Sequence, residues 1–223
     1  MTYIARAPVI GNYEGTMFAG FILSSQSEPD RKLELDKERN RIWVTPGEEL
    51  QRKIEDKPYT ATENLYACLI GFHDSLGNPV SVAFNGRMSN RIEATMKRMG
   101  DSAESSLIKT LSDFPPKEND PYIGAVIAMD NNRPSCYFGV HDRNDKPYFL
   151  IQGVEVETNK ALYIALTSCR DIKELTLDKV NDNNELAQQL FENILGIPPK
   201  YGCGAGVCMI KNNAFDLGVY NKQ

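Results

Sequence analysis

Residues 122–142 read YIGAVIAMDNNRPSCYFGVHD, and the punctuation of this stretch decides the fold class. Two runs rich in β-branched and aromatic residues flank MDNNRPS, a segment made of turn formers. That pattern predicts two antiparallel strands joined by a tight connection. The same grammar recurs along the chain. HDSLGNPV lies between LYACLIGF and PVSVAFNG, and HDRNDKPY between SCYFGVHD and PYFLIQGVEVE. With TMFAGFIL, NRIWVTP, ALYIALT, VCMIKN and DLGVY, the strands suffice for two sheets.

Helical signals are fewer. SNRIEATMKRMG places Ile92, Met96 and Met99 on one face. Asp101 opens DSAESSLIKTLSDF as a cap, with Glu104 three residues on and Leu107 and Leu111 on one stripe. NELAQQLFENILG is stopped by Gly196 and by Pro198-Pro199. Strands, a helical pair, strands, one helix and strands follow one another without a Gly/Ser linker. The expectation is a single α+β domain over residues 1–223, with helices covering two stacked sheets.

The chain has 223 residues, 41% of them apolar and 25% charged, with a net charge of −5. This is the balance of a globular protein with a core, and it argues against a general nucleic-acid binder. No secretory signal is read at the start, and no apolar run nears the roughly 20 residues of a membrane span. Five widely spaced cysteines fit free thiols in a reducing cytoplasm better than a disulfide framework.

Metal chemistry finds little support. His73 and His141 each occupy an HD turn without a second ligand at i+4, and Cys203 and Cys208 have the wrong spacing for a zinc finger. The expectation is no metal and no cofactor. YGCGAGVC is glycine-rich but is neither a P-loop nor GxGxxG, so a tight turn with close backbone packing is expected there. Cys68, inside an apolar strand, reads as a small buried hydrophobe. Thr2 could act as an amino-terminal nucleophile only if Met1 were removed.

Three polar clusters close apolar runs. Ser24, Ser25, Ser27 and Arg31 lie in SSQSEPDR; Tyr59, Asn64 and Tyr66 in KPYTATENLYAC; Asn85, Gly86 and Arg87 in FNGRMSNR. Each alone reads as a solvated loop. Together they offer an arginine fork, hydroxyls, phenols and a glycine that admits a ligand to backbone N–H groups. A phosphorylated small molecule calls for such donors.

SSQSEPDR, KPY, YAC, FNG and DPYIGAVI occur in an order and spacing that resembles the archaeal-type IMP cyclohydrolases, and the likeness continues through SCYFGV, ALYIALT and NELAQQLFENIL. The resemblance implies a four-layer αββα sandwich of two mainly antiparallel sheets, like the amino-terminal nucleophile hydrolases but without self-processing. It implies closure of the formamido nucleotide FAICAR to IMP with loss of water, the last step of purine synthesis, and it makes a homo-oligomer an expectation. Under it, Arg31 and a tyrosine serve the electrophilic side while Tyr59 or Tyr66 relays protons. Ser24, Ser25, Asn64, Asn85, Gly86 and Arg87 hold ribose and phosphate. The family's acid near its central helix has Asp113 as nearest counterpart and Glu118 as second. Two other readings compete: an amide hydrolase using Thr2, and a purine-nucleotide-binding relative without turnover.

Overall fold

The computed structural model describes residues 6–24, 30–48, 51–52, 66–114, 116, 121–143, 148–165, 171–195 and 202–222. The strands are β1 (Arg6–Tyr13), β2 (Thr16–Ser24), β3 (Arg31–Asp36), β4 (Arg41–Pro46), β5 (Tyr66–His73), β6 (Pro79–Phe84), β7 (Tyr122–Asp130), β8 (Arg133–Asp142), β9 (Tyr148–Val154), β10 (Lys160–Ile164), β11 (Ile172–Thr176), β12 (Gly202–Lys211) and β13 (Ala214–Asn221). The helices are α1 (Ser89–Ala94), which continues as a π-helical turn over Thr95–Met99, α2 (Ala103–Asp113) and α3 (Asn183–Leu195).

Two sheets form. One has six strands in the order β11-β10-β1-β2-β12-β13, the other seven in the order β3-β4-β5-β6-β7-β8-β9. Neighbouring strands pair antiparallel throughout. Side-chain alternation then sorts residues into three apolar layers. Phe21, Leu23, Ile42, Leu69, Ile123 and Phe138 fill the space between the sheets. Leu186, Leu190 and Phe191 of α3 cover Val9, Ile22 and Val207 on the outer face of the six-stranded sheet. Ile92, Met96, Leu107 and Leu111 cover Val80, Val82, Phe84 and Val126 outside the seven-stranded sheet. A strand covered on both faces has no reason to alternate, which is why TMFAGFIL and PVSVAF read as unbroken apolar runs.

Glycines let the layers approach. A Cβ on Gly206 would sit 2.8 Å from Ile42 Cδ1 of the opposite sheet, and one on Gly139 would meet Leu111 and Leu107 at 2.7 and 2.8 Å. GCGAGVC, from Gly202 on, therefore lies in the strand β12 itself rather than forming a tight turn, and Gly204 and Gly206 serve strand packing. Two helical expectations also shift. Ser102, not Asp101, caps α2 by accepting from Ser105 N, while Asp101 pairs with Lys109 at 2.6 Å. Met99 is 66% exposed, because the wider π turn carries it off the face that buries Ile92 and Met96.

The two ends of the sandwich differ. One carries tight turns: Asn131, Asn132, Asn212 and Asn213 adopt positive φ between β7 and β8 and between β12 and β13, and Asp74 Oδ1 accepts from Leu76 N and Asn78 N. His73 Nε2 lies 2.9 Å from Asn213 O and joins the sheets there. At the other end, β2 finishes at Ser24 and the chain enters the opposite sheet at Arg31. Asn221 bridges the sheets beside that crossing. Its Oδ1 accepts from Leu33 N at 2.7 Å and its Nδ2 donates to Leu33 O at 2.9 Å. No helix among the described residues is long and apolar enough to cross a membrane.

Candidate active site

Because strands alternate direction, the starts of β3, β5, β7 and β9 share one end of the seven-stranded sheet with the ends of β4, β6 and β8. Of the residues singled out in the polar clusters, the described ones Arg31, Tyr66, Asn85, Gly86 and Arg87 lie at this end, and Ser24 ends β2 beside it. Arg31 is two residues from Leu33 on β3, so both face the space between the sheets. Tyr66 opens β5, pairs with Val44 and is 4% exposed within the same layer. One strand separates β3 from β5 and Tyr66 is level with Leu33, which puts Arg31 and Tyr66 about 12 Å apart at the backbone, within joint reach of one small ligand. Ser24, at the end of β2, is buried.

Gly86 and Arg87 follow β6. Gly86 has φ of +109° with open space where a Cβ would stand, and Arg87 is exposed. Asn85 has a different character. It is 1% exposed, its Nδ2 donates to Pro121 O at 2.9 Å, and its Oδ1 accepts from Ile123 N at 2.6 Å. Both ends of the amide are committed to the backbone leading into β7, so Asn85 shapes the site as a clamp. Ser25, Ser27, Tyr59, Asn64, Thr2 and Glu118 lie outside the described residues.

Asp113 is set apart from the others. It ends α2 on the outer side of the seven-stranded sheet, is half exposed and pairs with Arg91, whose guanidinium also stacks on Phe114 at 4.4 Å. The resemblance assigned it a catalytic role, but its carboxylate does not join the layer that holds Tyr66.

Sequence reasoning passed over two groups facing that layer. Asp142, at the end of β8, is 6% exposed and is the sole buried carboxylate among the described residues. It is in phase with Cys136, Phe138 and Val140, all of the inter-sheet core, and it pairs across the strands with Tyr148. Arg6 opens β1 opposite Leu23, a residue of the same core. The signal for Asp142 was the period-two count in SCYFGVHD, which puts a charge in step with core residues. Its neighbour His141 points the other way, with Nδ1 2.7 Å from Leu111 O.

Three buried thiols are inert. Burial pushes the Cys68 thiol up and raises Cys136 and Cys208 to about 12, so none offers a thiolate near neutrality. Among the described residues no group of three His, Cys, Asp or Glu could hold a metal ion. A cleft of about 270 Å³ lies at the turn end, lined by Asn78, Asn131, Asn132, Asn212 and Asn213 among others, without an ionisable side chain.

Comparison with known proteins decides the family. The model of the IMP cyclohydrolase-like protein family matches residues 3–198. This chain belongs to that family. A relative from Methanocella arvoryzae (strain DSM 22066 / NBRC 105507 / MRE50), named IMP cyclohydrolase, is 26% identical over 230 residues that cover 98% of each chain. For a member of the IMP cyclohydrolase-like family, side chains that converge at the strand ends are the residues through which to read function.

Proposed function

We propose that this chain is an IMP cyclohydrolase, closing FAICAR to IMP with loss of water. The observation that carries the reading is Arg31 and Tyr66 facing one inter-sheet layer, at the end where Ser24 and Gly86 also lie. The order of helix, sheet, sheet and helix supports a fold of the amino-terminal nucleophile hydrolase type.

The reaction asks for little machinery. The carboxamide nitrogen of the substrate attacks the carbon of its own formyl group, forming the C–N bond that closes the ring. The formyl oxygen gains charge, takes up one proton from that nitrogen and a second from the formamido nitrogen, and departs as water as the ring C=N forms at the formamido nitrogen. Both reacting groups belong to one molecule, so holding them in attack geometry supplies much of the acceleration. Arg31 donates to the oxygen as it charges, an interaction for which preorganised donors give about 3 kcal/mol. Tyr66, with Tyr59 as the second phenol, relays the proton from nitrogen to oxygen. Gly86 opens backbone N–H groups to the nucleotide.

The test is IMP formation from FAICAR, followed by absorbance, in wild type and Arg31→Ala. Turnover that falls about 100-fold or more in the variant is expected, from the usual cost of losing an oxyanion donor. Wild-type protein that binds IMP but forms none from FAICAR would favour the nucleotide-binding relative instead.

A further inference from the structure

Two opposite charges at the site end have no part in the reaction above. Arg6 comes from the six-stranded sheet and Asp142 from the seven-stranded one, and both are in phase with residues of the inter-sheet core. β1, which begins at Arg6, packs across β7, the neighbour of β8. The two charges therefore belong to the same part of the gap.

Distance decides what they can do. β8 lies three strands from β5, so Asp142 is about 14 Å from Tyr66 at the backbone. A carboxylate so placed works on a different part of the ligand from Tyr66, about a nucleoside's length away. An ionised carboxylate is acceptor-only and can take hydrogen bonds from two neighbouring hydroxyls, which a ribose offers and a phosphate does not. Repulsion keeps a phosphate off Asp142, whereas a guanidinium matches phosphate oxygens in a two-pronged contact. Asn85 holds the start of β7 between these positions through Pro121 and Ile123, fixing the wall against which a sugar would lie.

We propose that Arg6 and Asp142 form the ribose–phosphate half of the site, with Arg6 binding the phosphate and Asp142 accepting from the ribose hydroxyls. This rests on the nucleotide-cyclising reading above and extends it to residues that reading leaves idle. The bland alternative is a cation at a strand start and an acid at a turn, each there only for the fold.

Titration calorimetry with IMP, 2′-deoxy-IMP and inosine separates the two, run beside the FAICAR assay. Wild type is expected to prefer IMP over each analogue by about tenfold or more, in line with the loss when a buried polar partner goes unmatched. Arg6→Ala should bring IMP down to the affinity of inosine while inosine binding holds. Asp142→Asn should erase the preference for IMP over 2′-deoxy-IMP, and Asp142→Glu should recover part of it. Wild type without a preference overturns the assignment with no variant needed. Variants that weaken all three ligands alike, or keep the wild-type ratios, overturn it too, while FAICAR turnover leaves the cyclohydrolase reading standing. Wild type that neither binds IMP nor converts FAICAR ends both.

Discussion

Removing the Asn85 amide would strand the Ile123 N–H and the Pro121 carbonyl in a place that water barely reaches. Buried groups left unmatched cost about 1–3 kcal/mol each, so Asn85→Ala should lower the unfolding free energy by about 2 kcal/mol or more, read from a denaturant midpoint. Asp113 gives the contrasting case. Its pair with Arg91 is about half exposed, and such pairs contribute about 1 kcal/mol or less. Asp113→Ala should therefore leave FAICAR turnover within about twofold and hardly move stability, whereas a loss approaching that of Arg31→Ala would return the acid to Asp113. The thiols set a limit at high pH. Cys136 and Cys208 rise from the ordinary 9.0 to about 12 because burial penalises the thiolate. Each is neutral in both states below pH 9, so its contribution is complete there. It is lost as pH climbs from 9 through the folded value, because the unfolded chain ionises first. An alkaline unfolding curve should thus begin to fall near pH 9, and substituting Cys136 with alanine should flatten that limb.

Among elements, α2 packs closely on β8. Leu107 and Leu111 sit where a Cβ on Gly139 would stand, with leucine carbons 2.7 to 2.8 Å from it. Gly139→Ala should cost about 1–3 kcal/mol by overpacking, seen as a lower thermal midpoint. Strands of this buried kind were legible in the sequence because their apolar runs end in turn residues. β1, β3 and β11 were not. Pro8 lies within β1 opposite Phe21 and lacks the N–H that a strand interior expects. β3 and β11 sit at sheet edges, where RKLELD and IKELT mix charge with one apolar side and give a weak pattern. The site was legible in part for the same reason. Arg31 and Tyr66 stand in conspicuous polar clusters, whereas Asp142 was marked only by the period-two count in SCYFGVHD, and Arg6 opens the strand β1 that its proline hid.

At the scale of the whole molecule, turns occupy one end of the sandwich and candidate chemistry the other. Asn221 joins the sheets at the chemical end, holding Leu33 and through it the strand that starts with Arg31. Asn221→Ala should lose about 1–3 kcal/mol from the two backbone groups left unmatched and lower turnover beyond what the stability change explains, because β3 loosens. Asn221→Asp keeps the acceptor for Leu33 N alone and should fall between. The strand order carries a last consequence. β2 takes β1 on one side and β12 on the other, and β12 begins only at Gly202, far along the chain from β2. On the ribosome, the TMFAGFILS strand must therefore wait with one edge unpaired until the residues of β12 emerge. A translation pause or an early stop there would release a nascent chain that is primed to pair with its neighbours, and chaperone demand should concentrate in that interval.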